Sequence, residues 1–325
     1  MTNWPITVDD VLAARARIAP FLAPTPLYDY PLLDAWVGHG IQVRVKHENF
    51  NPTSSFKVRN GLSFMTALPA HRRALGVVAA TRGNHGLGLA YAGRALGVAV
   101  SICVPLGNNP DKNASLRALG ATLFEEGRDY DEAVDVANRV VRETGGTLAH
   151  STNDREVLAG AATLSFEMLE EAPDLDAMVI AVGGGSQAVG ALTAARALRP
   201  ALEVFAVQAA GAAAGYRSFH AKTMVSLERA DTIADGLATR SAYALTFPAL
   251  LAGLADFITV NDADIADALR TLLSTTHSLV EPAGAAGLAG LRALAPQLAG
   301  RRVGIVLSGG NIDELMLRRV LERDM

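Results

Sequence analysis

Apolar and polar residues follow each other along the chain in blocks that predict strands alternating with helices. Short apolar runs are typical of buried strands, and longer segments with an apolar residue every three or four positions are typical of amphipathic helices. The predicted strands cover residues 76–80, 99–104, 121–124, 176–182, 203–208, 257–260 and 303–307. The predicted helices cover residues 84–97, 112–119, 129–143, 154–169, 187–198, 262–276 and 283–294, with one more at the C-terminus.

This order of elements predicts an α/β fold. Buried strands separated by helices form mostly parallel sheets, and helices then cover both faces of each sheet. Residues 211–245 interrupt the alternation and are predicted to be irregular. The chain has 325 residues, half of them hydrophobic, which is enough for more than one compact unit.

Composition favours a protein that handles small molecules. Lys and Arg total 29 against 33 Asp and Glu, and no basic cluster suggests nucleic acid or an anionic membrane as a partner. No uninterrupted apolar segment is long enough to span a bilayer, and residues 1–5 lack the features of a signal peptide, so we expect a cytoplasmic protein. Cys103 is the single cysteine, which excludes an intramolecular disulfide and a multi-cysteine metal site and predicts a buried thiol.

One lysine follows a run of helix-capping residues. Residues 51–59 read Asn-Pro-Thr-Ser-Ser-Phe-Lys-Val-Arg, and the Ser and Thr residues are predicted to cap a helix that begins at Lys57. An amine at the positive end of a helix dipole, especially a buried one, has a lowered pKa and supplies the neutral form needed for imine chemistry. Taken alone, the same pattern also describes an ordinary surface lysine.

Three glycine-containing turns follow predicted strands. Residues 80–86 read Ala-Thr-Arg-Gly-Asn-His-Gly, and the backbone N–H groups of such a turn can bind a carboxylate. Residues 182–187 read Val-Gly-Gly-Gly-Ser-Gln and open a helix, an arrangement that suits a phosphate. Residues 307–313 read Leu-Ser-Gly-Gly-Asn-Ile-Asp. Each turn is also compatible with an ordinary connection between a strand and a helix.

The glycine triplet also fits a dinucleotide-binding motif. Gly183, Gly185 and Ala188 match the pattern Gly-x-Gly-x-x-Gly/Ala. A nicotinamide site needs an acidic residue at the end of the next strand to hold the ribose. That strand ends at Gln208, and its acidic residue, Glu203, lies at its beginning. A nicotinamide oxidoreductase is therefore a disfavoured alternative.

The order of these motifs resembles one enzyme family. Asn-Pro-Thr-x-Ser-Phe-Lys, Gly-Asn-His-Gly, the Gly triplet and Ser-Gly-Gly-Asn follow one another as in pyridoxal 5′-phosphate (PLP) enzymes of fold type II, the tryptophan synthase β-like class. The resemblance is strongest to serine/threonine dehydratases (threonine ammonia-lyases) and serine racemases, over about residues 7–320. It implies a large lobe from residues 1–60 and 149–325, a small lobe from 61–148, an active site between them, and a homodimer.

The resemblance also implies roles for individual residues. Lys57 would carry the cofactor as a Schiff base and act as the base at the substrate Cα, with Phe56 beside the ring. The other cofactor contacts would come from Asn84 at the ring hydroxyl, Gly183, Gly184, Gly185, Ser186 and Gln187 at the phosphate, and Ser308 at the ring nitrogen. The substrate carboxylate would bind at Thr81, Arg82, Gly83, Asn84 and His85.

The implied reaction is loss of water from a β-hydroxy amino acid such as serine or threonine, giving a 2-oxo acid and ammonia. Racemases of the family place a Ser at the position of Arg82 as a second base, a role that a protonated arginine cannot readily take. Arg82 would instead pair with a substrate carboxylate or lie solvated at the entrance. Relatives bind a divalent cation through a Glu and an Asp where this chain has Gln208 and Ala214, so no metal is expected.

Three alternatives to this reaction stay open. The same fold could act on a bulkier or acidic β-hydroxy amino acid, such as a 3-aryl- or 3-carboxy-serine. It could exchange the β-substituent for another nucleophile. The chain could also be a non-catalytic protein that binds a small molecule.

Overall fold

Two β-sheets flanked by helices form the protein in the computed structural model, which describes residues 4–128 and 130–324. The strands are β1 Leu27–Asp29, β2 Gln42–Lys46, β3 Val77–Ala80, β4 Val100–Val104, β5 Thr122–Glu125, β6 Thr147–Leu148, β7 Ala177–Ala181, β8 Glu203–Ala209, β9 Asp256–Val260 and β10 Arg302–Val306. The helices are α1 Val8–Ile18, α2 Pro31–Val37, α3 Lys57–Ala67, α4 Ala70–Arg73, α5 Asn84–Leu96, α6 Pro110–Ala118, α7 Tyr130–Thr144, α8 Arg155–Glu171, α9 Ser186–Leu198, α10 Ala214–Ala221, α11 Phe247–Gly253, α12 Asp262–Thr276, α13 Pro282–Leu294 and α14 Glu314–Glu322. The predicted helix start at Asp129 and the N-terminal residues Met1, Thr2 and Asn3 lie outside the described residues.

Both sheets are mainly parallel, which confirms the α/β prediction. The larger sheet has the order β1-β2-β10-β7-β8-β9, in which β1 is antiparallel to β2 and the other neighbours are parallel. The smaller sheet has the order β5-β4-β3-β6 and is parallel throughout. Its strands all lie between residues 77 and 148. The lobe boundaries after residues 60 and 148 stay a prediction.

Glycines allow α3 to pack backbone-to-backbone against α5 and α8. A Cβ on Gly88 of α5 would lie 2.2 Å from the carbonyl oxygen of Lys57, and one on Gly160 of α8 would lie 2.5 Å from that of Arg59. Such distances are impossible for any other residue, so these contacts require glycine. The first turn of α3 is thereby held between α5, which follows β3, and α8, which follows β6.

Two local predictions were wrong. Residues 214–221, within the segment predicted to be irregular, form α10, whose Tyr216 and Phe219 rings pack against Phe257 of β9 at 6.3 and 6.0 Å. The start of α3 at Lys57 is confirmed, but its N-cap is Phe56, and no side chain caps it. Phe56 already has helical backbone angles, so the Ser55 hydroxyl only accepts the Lys57 N–H at 3.3 Å.

Candidate active site

Every site residue predicted from the sequence lines one cavity of about 720 Å³. The cavity lies where β3, β7 and β10 end and where α3, α5 and α9 begin, the place where parallel α/β sheets bind ligands. The predicted residues that it brings together are Phe56, Lys57, Thr81, Arg82, Gly83, Asn84, His85, Gly183, Gly184, Gly185, Ser186, Gln187 and Ser308. Their individual roles toward a cofactor or substrate remain predictions.

Lys57 is half-buried on the cavity wall. Its Nζ donates to the carbonyl oxygen of Ser151 at 3.2 Å and lies 4.9 Å from the centroid of the Phe56 ring. No carboxylate forms an ion pair with this amine among the residues that the structure describes. Burial lowers the pKa of the Lys57 ammonium to about 8. About a tenth of the amine is therefore neutral at pH 7, far more than in an ordinary lysine, and this fraction can act as a nucleophile or a base.

Pairing with the segment after β10 positions Lys57. The Phe56 N–H donates to the Ser308 carbonyl at 3.0 Å, and Ser55 forms an antiparallel bridge with Gly309. The Gly310 N–H in turn donates to the Ser54 carbonyl at 2.8 Å. Because of this pairing, the buried Ser308 and the amine of Lys57 open onto the same cavity.

A buried ionic network anchors α3 behind the cavity. Arg59 donates to Glu48 at 2.8 and 2.9 Å and to Glu167 of α8 at 2.6 and 2.8 Å. Lys46, at the end of β2, donates to the same Glu167 at 2.7 Å. Each of these four side chains is at most 8% exposed. Charges so buried are stable only when fully paired, so the network fixes α3 against β2 and α8.

The 81–85 turn presents the N-terminus of α5 to the cavity. The Gly83 N–H donates to the Thr81 hydroxyl at 3.1 Å, and the Leu87 N–H closes the first helical turn onto the Gly83 carbonyl. The N–H groups just before Leu87 belong to the first turn, which suits an anion such as a carboxylate. The Arg82 side chain is exposed at the rim.

His85 contributes its backbone to this turn, while its buried ring lies against the backbone of Ala149. The ring Nε2 lies 3.1 Å from the Ala149 carbonyl oxygen, and burial lowers the pKa of His85 to about 3, helped by the nearby Lys57. The ring is therefore neutral and packs under the turn. A neutral imidazole does not form an ion pair with a carboxylate, so the His85 side chain adds no charge to the turn.

Asn84 is fixed by two side-chain hydrogen bonds. Its Nδ2 donates to Glu281 Oε1 at 2.6 Å, and its Oδ1 accepts from Asn311 Nδ2 at 2.8 Å. Asn311 also donates to the Thr53 carbonyl at 2.9 Å. One hydrogen of the Asn84 amide remains for a partner in the cavity, in agreement with its predicted role at a ring hydroxyl.

The glycine triplet and the start of α9 form a compact anion cradle. The Val189 N–H bonds to the Gly185 carbonyl at 2.9 Å, so the N–H groups of residues 186–188 precede the first closed turn. Gly185 has φ +94°, and a Cβ on Gly184 would lie 2.2 Å from Thr152 Oγ1. Gln187 Nε2 is buried, and no protein group within residues 4–128 and 130–324 accepts from it. A phosphate would satisfy all of these donors.

Sequence reasoning missed several polar residues of the cavity. Tyr130, His150 and Tyr243 line the cavity, and Lys112 lies beside Gly83 with its Nζ 3.6 Å from Asp235 Oδ2. His150 follows β6, a two-residue strand that the sequence pattern did not predict, so the rule that polar residues after parallel strands line the ligand edge could not be applied to it. The others come from segments without a local signal.

Comparison with known proteins identifies the family. Residues 18–309 match the family described as pyridoxal-phosphate dependent enzymes. The chain belongs to this family. It is 36% identical over 304 residues to an L-threo-3-hydroxyaspartate ammonia-lyase of a Pseudomonas species, which covers 94% of this chain and 95% of that protein. It is 33% identical to an L-threonine ammonia-lyase of Thermotoga maritima, over 98% of this chain and 79% of that protein.

Solved structures agree with this assignment. The structure of maize serine racemase matches with a TM-score of 0.93 and 30% identity, covering 99% of this chain and 98% of that one. The protein is thus a PLP-dependent enzyme of fold type II, as its motifs predicted. The nicotinamide oxidoreductase and the non-catalytic binding protein are set aside by this finding.

The cavity fits PLP on its own chemistry. The orphaned amide of Gln187 and the N-terminus of α9 suit the phosphate, and the half-buried amine of Lys57 suits the aldehyde. The open hydrogen of Asn84 suits the ring hydroxyl, and Ser308 the ring nitrogen. These pairings stay predictions.

Three further predictions concern membrane-spanning segments, a metal site and the single cysteine. None of the described helices is long and apolar enough to cross a bilayer. Within the described residues, His, Cys, Asp and Glu form no group of three or more that could hold a metal ion, and Gln208 Oε1 accepts the Tyr216 N–H at 3.1 Å. The absence of a metal in the working enzyme stays a prediction. Cys103 is fully buried, as predicted.

Proposed function

We propose that the protein is an ammonia-lyase that removes water from a β-hydroxy amino acid such as serine or threonine. The observation that carries this proposal is the convergence of the Lys57 amine with the N-termini of α5 and α9 in one cavity. One helix end suits a carboxylate, the other suits a phosphate, and the amine lines the same cavity. The relatives named above as ammonia-lyases support the same reaction class.

Each part of the cavity has a separate binding task. The cradle of residues 183–187 would hold the cofactor phosphate, Asn84 its ring hydroxyl and Ser308 its ring nitrogen, while Lys57 attaches its aldehyde carbon. When bound, PLP supplies an electrophilic carbon for the substrate amine and an electron sink for the bonds at Cα. The N-terminus of α5 would bind the substrate carboxylate and so aim the Cα–H bond.

Lys57 would then move the proton. Once the substrate amine has taken its place, the freed Nζ can remove the Cα proton, because its lowered pKa makes the neutral form far more abundant than in an ordinary lysine. The hydroxyl of Ser308 does not protonate a ring nitrogen as a carboxylate would. This keeps the electron sink weak, which favours rapid loss of a β-substituent over transamination.

Arg82 supports elimination over racemisation. A racemase needs a second base on the face of the substrate opposite to Lys57, and the resemblance puts that base at position 82. An arginine there stays protonated and cannot accept a proton. We therefore expect racemisation to be at most a minor activity.

The first test measures 2-oxo acid release from L- and D-forms of serine, threonine and larger β-hydroxy amino acids. Activity should be lost in Lys57→Ala and retained in Lys222→Ala, the matched variant at an exposed lysine outside the cavity. Borohydride reduction of the holoenzyme, followed by peptide mass spectrometry, should place the cofactor on Lys57. No 2-oxo acid from any substrate, with cofactor attached, would overturn the proposed reaction.

An acidic β-hydroxy amino acid is the second candidate substrate. Both Arg82 and Lys112 line the cavity beside the turn that would bind the α-carboxylate, so a second carboxylate could be paired there. The Pseudomonas relative is named for such a substrate. A higher kcat/KM for 3-hydroxyaspartate than for threonine, reversed in Arg82→Gln, would establish this candidate; equal effects on both substrates would exclude it.

The proposal includes a homodimer in the cytoplasm. Tyr28 and Phe50 are each half exposed and both contact the buried His47 ring, at 5.5 and 4.6 Å between centroids. Such exposed apolar surface is compatible with a second copy of the chain. Light scattering on the holoenzyme as it elutes from a size-exclusion column measures its mass directly. A monomer would contradict this expectation.

A further inference from the structure

The imidazole of His150 is held in one tautomer. His150 follows β6 and lines the cavity. Its Nδ1 accepts the backbone N–H groups of Thr152 at 3.0 Å and Asn153 at 2.8 Å. An atom that accepts two hydrogen bonds carries no proton, so the proton of the neutral ring must be on Nε2.

The Nε2–H group of His150 is available to a molecule in the cavity. Among the described residues no protein group accepts from it, and the neighbouring Tyr243 makes only an edge-to-face ring contact at 5.6 Å. Burial and the nearby Lys57 lower the pKa of His150, although Asp154 acts in the opposite direction. Protonation would also place a hydrogen on Nδ1 against two N–H donors. The ring is therefore a neutral, fixed donor.

His150 and Lys57 are linked through the turn that follows β6. Lys57 Nζ donates to the carbonyl of Ser151, the residue that follows His150. The His150 imidazole also helps to lower the pKa of the buried His85. His150 and the amine that would remove the Cα proton therefore line the same cavity, close enough for Lys57 to lower the pKa of His150.

We propose that His150 is a further catalytic residue, whose Nε2–H donates a hydrogen bond to the β-hydroxyl group as it leaves; this rests on the proposed function. The Cβ–O bond breaks and its electron pair leaves with the oxygen. The proton that Lys57 takes from Cα is delivered to that oxygen, which departs as water. His150 keeps its own proton throughout. A neutral imidazole suits this task, because it stabilises the developing negative charge on a poor leaving group.

Two substitutions separate this role from the support that His150 gives to the turn. In His150→Asn, Oδ1 occupies the place of Nδ1 and can accept the same two N–H groups, but no donor reaches the position of Nε2. In His150→Gln, the longer amide brings a donor close to that position and loses the acceptor. If His150 acts as a donor, His150→Asn should lower the elimination activity more than His150→Gln. A role in the turn alone predicts the reverse.

The experiment compares elimination of L-serine and of β-chloro-L-alanine by the holoenzymes. Chloride leaves without help from a hydrogen bond, whereas hydroxide does not. In His150→Asn we expect kcat/KM for serine to fall roughly 100-fold, the usual effect of removing one such donor, while that for chloroalanine is unchanged. In His150→Gln we expect most of the serine activity to return. The cofactor absorption band and the unfolding midpoint report whether each variant is loaded and folded.

Two results would overturn the role of His150. The first result is an equal loss of kcat/KM on both substrates, or a ratio of serine to chloroalanine kcat/KM that falls further in His150→Gln than in His150→Asn. Either outcome assigns His150 to support of the turn and leaves the proposed reaction intact. A wild-type enzyme that eliminates chloride but never hydroxide would show that the proposed reaction itself is wrong. If neither variant loads cofactor, His150 is structural and the inference fails.

Discussion

The Asn84 side chain donates to Glu281 with 2.6 Å between Nδ2 and Oε1, and this bond joins the start of α5 to the start of α13. Gly309 makes room for it, because a Cβ there would lie 2.3 Å from Glu281 Oε1. Burial raises the pKa of Glu281 to about 7, while Lys112 and the Asn84 bond act in the opposite direction. The residue expected at the ring hydroxyl of the cofactor is therefore oriented by a carboxyl group that titrates near neutral pH.

Glu281→Gln should change how stability depends on pH. The folded pKa of Glu281 is about 7 against an ordinary value of 4.5, so the folded chain binds more protons than the unfolded chain between these values. The stabilisation is fully present below about pH 4.5 and is lost as pH rises through about 7; it cannot exceed about 3 kcal/mol. Urea unfolding of both apoproteins across this range should show that the free energy of unfolding of the wild type falls relative to that of the variant as pH rises. Parallel stability curves would contradict the assignment.

Arg59→Met should destabilise the protein far more than a matched change at the surface. It leaves the buried carboxylates of Glu48 and Glu167 without their main partner, at a cost of roughly 3–5 kcal/mol. Arg15→Met removes an exposed ion pair with Glu170 and should cost at most about 1 kcal/mol. Urea unfolding midpoints compare the two. Similar losses would mean that the buried network does not anchor α3.

Gly184→Ala should weaken cofactor binding sharply. The added Cβ would meet the buried Thr152 side chain at 2.2 Å, so the cradle must shift away from its present shape. Gly287→Ala is the matched control, because its Cβ would lie no closer than 3.4 Å to any atom and it is inside a helix. PLP titration of the apoproteins, followed by absorbance, measures both affinities. Unchanged affinity in Gly184→Ala would show that the phosphate binds elsewhere.

Attachment of PLP to the apoprotein should follow the titration of Lys57. Only the neutral amine attacks the aldehyde, and burial lowers the pKa of Lys57 from 10.5 to about 8. The attachment rate should rise about tenfold for each pH unit below that value and level off above it. Stopped-flow absorbance after mixing with PLP gives the profile. A rate that keeps rising to the pKa of a free lysine would contradict the effect of burial.

Local sequence was sufficient for most of the site. Lys57, Asn84 and Ser308 each belong to a short motif directly after a predicted strand or at a predicted helix start, and all three line the cavity. Helix starts and glycine turns depend on neighbouring residues, which are visible in the sequence. Local sequence was not sufficient for β1, β2 and β6, which no pattern predicted.

The other part of the site depends on contacts between distant segments. Glu281 meets Asn84 across 197 positions of sequence, and Phe56 meets Ser308 only because β10 lies between β2 and β7. The sequence alone determined the α/β class, the alternation of elements and the motifs, because periodicity and turn chemistry act over a few residues. Strand order, the buried partners of Arg59 and Glu281, and the tautomer of His150 were decided only by tertiary structure, because burial and pairing of polar groups depend on which segments the fold brings together.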